Sequence, residues 1–151
     1  MKGYHWGTKR PRTKKLPLFV YGILKPGYSW RSIVGHRIAN GTLGYRDAVE
    51  GYCLTGHSIA RAVRSKGGQV IGWLWHLEAL EDDLYWQVMD RIDQIEVAYD
   101  RSIVKTRSGS EAYMYTVPRG GNSGWFWCYD EWPFENREPT GYIMGEWEDE
   151  H

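Results

Sequence analysis

Long apolar runs are missing from this 151-residue chain: none approaches the roughly eighteen residues a membrane-spanning helix needs, so no membrane association is expected. Cysteine is scarce as well. Cys53 and Cys128 are too few for a disulfide framework and lack C-x-x-C zinc spacing, which points to reduced thiols and a cytoplasmic protein. His36, His57 and His76 are scattered, without His-x-His or His-Glu-x-x-His spacing, so no metal site is expected. The N-terminus has no apolar stretch of the secretory kind, because Lys14 and Lys15 precede Leu16. Acid is absent from the first 46 residues, which carry ten Lys/Arg, while the remainder carries nine Lys/Arg and nineteen Asp/Glu. The net charge of zero therefore hides halves of +10 and −10, whose fields largely cancel if they pack within a Debye length of about 8–10 Å. A basic arm over residues 1–15 suits a polyanion, but no base-stacking module follows it, so it reads as a mobile extension and nucleic acid is not an expected partner.

What is present is aromatic and turn-rich: nine Trp, eleven Tyr and eighteen Gly, with 42% hydrophobic and 25% charged residues. That composition supports one globular domain over residues 16–151. Leu18-Phe19-Val20-Tyr21 reads as a short buried strand stopped by Gly22 and by Lys25-Pro26-Gly27. Tyr28 to Ile38 suits a short helix with Ser29 as N-cap, followed by glycine-punctuated strands at 41–45 and 51–54. In Gln69 to Leu77, Ile71, Trp73, Trp75 and Leu77 share one face and Val70, Leu74 and His76 the other; both are apolar, as in a strand covered on both sides. Leu77, Leu80, Leu84, Val88 and Ile92 then recur at helical spacing to about Ile95, with acids crowding the first turns. Strands at 101–107 and 111–117, joined by Ser108-Gly109-Ser110, complete the pattern. This order suits an α+β domain, a small mixed sheet or barrel with flanking helices.

Three features could carry chemistry. In Val20-Tyr21-Gly22-Ile23-Leu24-Lys25-Pro26-Gly27, a strand ending in glycine can leave successive amides unpaired, a receptor for a carboxylate or phosphate; equally, it is an ordinary strand turn. It lacks both the Lys-Ser/Thr ending of a phosphate loop and the three spaced glycines of a dinucleotide fingerprint. In Met89 to Arg101 a helix gives way to a strand, and a partly desolvated carboxylate such as Asp93 could there move protons near neutral pH, although most acids in such a run are solvated helix charges. The aromatic set Trp73, Trp75, Tyr99, Tyr113, Tyr115, Trp125, Trp127 and Trp132 fits either core packing or a pocket with orienting hydroxyls.

Together these segments resemble the γ-glutamylcyclotransferase-like (AIG2-like) family. Phe19 to Gly27 resembles its V-Y-G-T-L-(K/R)-x-G opening and Gln69 to Trp75 its V-x-G-E-V-Y strand. Met89-Asp90-Arg91-Ile92-Asp93 with Tyr99-Asp100-Arg101 resembles its L-D-x-x-E…Y-x-R element, with the same internal spacing. Ala112 to Tyr115 looks like the aromatic strand that follows, and Ile143 to Trp147 like the closing G-D-W. The resemblance implies a small mixed β-barrel with flanking helices. It implies a cavity at a loop, here Tyr21, Gly22, Ile23 and Leu24, that binds the α-carboxylate of a γ-glutamyl group, with Tyr99 and Tyr115 as orienting groups. An acid of the L-D-x-x-E element moves protons during ring closure to 5-oxoproline, and no cofactor is required. The implied partner is a small γ-glutamyl amine or amide. The chain departs from the pattern where it matters: Asp93 stands at the glutamate position. The loss of one methylene withdraws the carboxylate by roughly 1–1.5 Å, enough to cost about a hundredfold in a positioned reaction. Either the backbone compensates, or Glu96 substitutes from the next turn, or the protein retains the cradle to hold a small carboxylated or phosphorylated anion without turnover. Ile23 replaces a small polar residue, and Trp73 follows Gly72 where the family has glutamate.

Overall fold

The computed structural model describes residues 14–56, 59–118 and 125–144. Residues 1–13 of the expected extension and Gly145-Glu146-Trp147 of the closing motif lie outside the described residues. Lys14 and Lys15 are docked: Lys14 pairs with Glu111 at 3.2 Å and Lys15 with Asp82 at 2.8 Å.

Strands β1 (Leu18–Val20), β2 (Gly44–Thr55), β3 (Arg61–Trp75), β4 (Asp100–Lys105) and β5 (Glu111–Thr116) form one mixed sheet in the order β2-β3-β1-β5-β4. β1 runs antiparallel to β3 and parallel to β5. Being central, it is covered on both faces, which explains its uninterrupted Leu-Phe-Val. Leu18 and Val20 face the helical layer with Trp75, Leu77, Tyr113 and Tyr115, whereas Phe19 faces the opposite core with Val70, Leu74, Ala112 and Met114. Gly72 is required by close approach: a Cβ there would sit 2.2 Å from the Val20 carbonyl oxygen.

The sheet curls but is not a closed barrel, which corrects the expected barrel. β2 and the end of β4 meet only at an isolated bridge, Val49 to Thr106, beside a 2.8 Å bond from the Arg107 amide to the Ala48 carbonyl. The register of β2 against β3 slips between Glu50 and Tyr52, where Gly51 takes φ +90°, and the bend carries the rest of the hairpin away from closure. The two strands expected near 41–45 and 51–54 are thus one bulged strand.

The expected helix after Tyr28 is two short ones, α1 (Trp30–Val34) and α2 (His36–Gly41), divided at Gly35 with φ +93°. Ser29 occupies the N-cap position without a side-chain cap bond. The long helix also differs from its sequence pattern. A 3₁₀ turn spans Leu77–Ala79, Leu80 is extended, and α3 (Asp82–Ile95) starts beyond it. The buried stripe is therefore Tyr85, Val88, Met89 and Ile92, while Leu84 faces outward. No helix among the described residues is long and apolar enough to cross a membrane.

A two-stranded ribbon, β6 (Trp125–Cys128) with β7 (Gly141–Met144), packs on β2 through Phe126, Cys128 and Ile143. Cys128 is disulfide-bonded to Cys53, with Cα atoms 5.7 Å apart, so the expectation of reduced thiols is overturned. A count of cysteines carries no information about which strands fold back beside each other. The bond closes a 75-residue span; its reduction should lower stability by about 2–4 kcal/mol, read as a shift in the denaturant midpoint with and without a thiol reductant.

Asp47 fastens the β4–β5 turn to β2. Its carboxylate accepts from the Ser108 hydroxyl at 2.6 Å and from the amides of Ala48 at 2.8 Å and Ser108 at 3.2 Å. Burial alone would raise its pKa, but these hydrogen bonds outweigh burial and hold it below its ordinary 3.8. Its contribution is thus complete above pH 4 and fades as the pH falls through the lower folded value. Asp47→Asn should cost about 1–3 kcal/mol at pH 7, a deficit that shrinks toward pH 3 in denaturant melts of the two proteins.

Candidate functional site

Where β1 ends, Gly22 turns the chain and the Lys25 amide bonds back to the Gly22 carbonyl at 3.0 Å. The Ser29 amide reaches the Ile23 carbonyl at 2.8 Å, so the turn is closed by its own backbone before α1 begins. Among the described residues no backbone carbonyl accepts from the amides of Ile23 or Leu24. The Trp75 indole donates to the Leu24 carbonyl at 3.0 Å and pins the far side of the turn.

This turn forms one wall of a cavity of about 290 Å³. Phe19, Val20, Leu24, Ala60, Tyr115 and Trp132 supply its buried parts, and the end of α3 with the following turn, Ile95 to Tyr99, supplies the opposite wall. Of the residues singled out in the sequence, Tyr21, Gly22, Ile23, Leu24, Glu96, Tyr99 and Tyr115 all line this one cavity. Asp93 does not; it lies behind the wall. Arg101 reaches both carboxylate oxygens of Asp93 at 2.8 Å, and the Tyr115 hydroxyl donates to the same carboxylate. Helical geometry makes the distinction. Asp93 lies one position past the buried Ile92 and turns toward β4 and β5, whereas Glu96 caps the helix, its amide bonded to the Ile92 carbonyl at 2.9 Å, and leaves toward the β1 turn.

Arg101 is 1% exposed, the largest fully buried side chain among the described residues, and lies over the rings of Tyr113 at 4.9 Å and Trp86 at 5.7 Å. Tyr115 is held well above its ordinary pKa, first by burial and then by the Asp93 charge, so its hydroxyl keeps its proton and remains a donor. Tyr21, whose hydroxyl donates to the Tyr115 carbonyl at 2.6 Å, is raised by burial and then by the charge of Glu96. Tyr99 is raised by the same two causes in the same order, opposed by Arg61, which hydrogen-bonds its hydroxyl. Arg61 thus brings a positive charge near the two tyrosines. Nothing in the sequence marked it, because it opens a strand some forty residues away.

The remaining aromatics divide. Trp132 closes the cavity, held by Lys25, which donates to its carbonyl, and by an edge contact with Tyr28 at 4.9 Å. Trp73 and Trp75 pack beneath the helical layer, Trp75 stacked on Trp30 at 4.6 Å, so Trp73 does not narrow the cavity. Trp125 and Trp127 lie on the exposed face of the ribbon.

The family model for gamma-glutamyl cyclotransferase, AIG2-like, matches residues 18–149. The chain belongs to this family. Solved structures of similar fold include an AIG2-like protein from Mus musculus (17% identity, TM-score 0.55, covering 80% of this chain and 90% of that one). They also include an uncharacterised protein from Pyrococcus horikoshii (21% identity, TM-score 0.52, covering 89% and 91%). A third is a protein from Arabidopsis thaliana (18% identity, TM-score 0.51, covering 82% and 81%). At these identities the likeness concerns the fold. No curated protein matches the chain significantly.

The Arg101–Asp93 pair makes a strong prediction for a family member of this size. Asp93→Asn removes the counter-charge of a guanidinium shielded from water and should destabilise the protein by about 3–5 kcal/mol. Arg101→Met/Asp93→Leu should lose less than either single change, measured as a double-mutant cycle in urea.

Proposed function

We propose that the protein is a cyclotransferase that converts a γ-glutamyl amine or amide to 5-oxoproline and the free amine, with Glu96 rather than Asp93 as the proton carrier. The observation that carries this reading is that the Glu96 carboxyl-bearing turn and the Tyr21–Leu24 turn face one cavity, while Asp93 is committed to Arg101 and Tyr115.

In this reading the amides of Ile23 and Leu24 receive the substrate α-carboxylate, a compact anion suited to adjacent N–H groups. Glu96 accepts a proton from the α-amino group, whose nitrogen attacks the γ-carbonyl carbon. The new C–N bond closes a five-membered ring, the bond to the departing nitrogen breaks, and Glu96 returns a proton to that nitrogen. Tyr99, whose hydroxyl Arg61 hydrogen-bonds, supplies a polar group at the same wall. Because nucleophile and electrophile belong to one molecule, holding the substrate folded supplies much of the rate. Asp93 acts as a positioning residue that fixes Tyr115, the cavity's inner wall.

Glu96→Gln should lower the rate of 5-oxoproline release from γ-glutamyl amides by about 10²–10⁴-fold while leaving the unfolding midpoint nearly unchanged. Release that survives Glu96→Gln but disappears in a folded Asp93→Asn protein would return the proton transfer to Asp93. Saturable binding of γ-glutamyl amides with no 5-oxoproline from the native protein would favour a ligand-holding role instead.

A further inference from the structure

Strand pairing covers what lies beneath it, and between β2 and β3 it is interrupted. Glu50 pairs with Gln69 and Tyr52 with Arg64, so Gly51 alone faces the four residues Ser65 to Gly68, which leave the ladder as a bulge. Beside the bulge lies a cleft of about 290 Å³ that shares no lining residue with the cavity described above. The Cys53–Cys128 disulfide forms part of its lining. Both cysteines are buried, at 1% and 3% exposed, and a disulfide so covered ordinarily meets a thiol only when the chain opens. Here the cleft reaches both of them. Cys128 has the more open side: its register partner on β7 is Gly141, which also lines the cleft, and a Cβ there would meet nothing nearer than Ile143 Cγ2 at 3.9 Å.

Two charges of opposite sign line the same cleft, Lys66 from the bulge and Asp130 from the segment after β6. Neither side chain has a hydrogen-bond or ion-pair partner among the described residues. A cation and an anion across a small space suit a ligand that carries both a carboxylate and an ammonium. The ligand that also gives the disulfide a part is an amino-acid thiol.

We propose that this cleft is a thiol-exchange site for small amino-acid thiols such as cysteine, which join Cys128 as a mixed disulfide. The ligand thiolate attacks Cys128 Sγ. The bond to Cys53 breaks, its electron pair leaves on Cys53 Sγ, and the new bond joins the ligand sulfur to Cys128. Return attack by the Cys53 thiolate on Cys128 Sγ expels the ligand and restores the first bond, so the cycle needs no other reactant. Lys66 receives the ligand carboxylate and Asp130 its ammonium. Beyond Cys128 the chain stays fastened: Tyr129 and Leu54 exchange two backbone bonds of 2.8 Å, and the Asp130 carbonyl accepts from the Ile71 amide at 2.7 Å. Exchange therefore leaves the Trp132 wall in place, and the site is independent of the chemistry in the other cavity.

The folded protein is incubated with cysteine, with cysteamine, which lacks the carboxylate, and with N-acetylcysteine, which lacks the ammonium. Each rate is divided by that of the same thiol with hydroxyethyl disulfide, which removes differences in intrinsic reactivity. Peptide mass spectrometry after alkylation locates the adduct. Cysteine should react fastest, on Cys128, with a rate constant unchanged by urea below the unfolding transition. Lys66→Gln should erase its lead over cysteamine, and Asp130→Asn its lead over N-acetylcysteine, each a change of a few-fold. Gly141→Val fills the open side with a residue suited to a strand and should slow all three thiols without lowering the unfolding midpoint. A rate that climbs with urea in step with unfolding overturns the site, because the disulfide is then reached only in the open chain. An adduct on Cys53, three thiols that react alike, or two alkylatable thiols in the untreated protein overturns it equally.

Discussion

A guanidinium withdrawn from water has to find its counter-charge within the fold, and the place where Arg101 does so organises the surrounding structure. Its partner, Asp93, is on the last turn of α3, and the Tyr115 hydroxyl that completes the arrangement is on β5, so one ionic contact ties helix, β4 and β5 together. The pair gains strength from its low-dielectric setting and would be costly if either member were left alone. Its functional consequence is geometric. With Asp93 fixed to β4, the next three residues carry the chain out of the helix, and Glu96, Val97 and Tyr99 come to face the turn after β1.

The other wall follows from the centrality of β1. Three residues flanked by β3 and β5 have no freedom to shift, and Gly72 lets β3 approach closely enough to hold them. The turn that leaves β1 is thereby aimed at the end of α3, and it is held at two adjacent residues: the Leu24 carbonyl accepts from the Trp75 indole and Lys25 donates to the Trp132 carbonyl. The cavity is the space left where a strand end and a helix end, each held by its own contacts, do not quite meet. The disulfide from Cys53 to Cys128 holds the ribbon against the outside of this frame, a few residues before Trp132 closes the cavity.

The strands and the acidic run were readable because their causes are local. Val70, Leu74, Trp73 and Trp75 alternate as a doubly covered strand must, and the Ser108-Gly109-Ser110 turn sits between the paired strands β4 and β5. The helix phase was harder to read: the leucines at 77, 80 and 84 continue the spacing of Val88 and Ile92, but an extended Leu80 breaks the helix and hands the buried stripe to Tyr85 and Met89. Closure of the sheet was also out of reach, because it depends on the Gly51 bulge and on how far β2 bends. Arg61 gave no local signal at all; it reaches Tyr99 only because β3 begins there.

Residue spacing alone determined the family resemblance, the strand–turn–strand order and the two acids, Asp93 and Glu96, that stand as candidates at the helix end. Spacing along a chain cannot say which of two carboxylates three residues apart meets a buried cation and which meets a cavity, because that depends on what packs against each side of the helix end. The tertiary structure made that assignment by bringing Arg101 of β4 behind the helix and the β1 turn in front of it. It also joined two distant cysteines, since only packing sets distances between residues far apart in sequence.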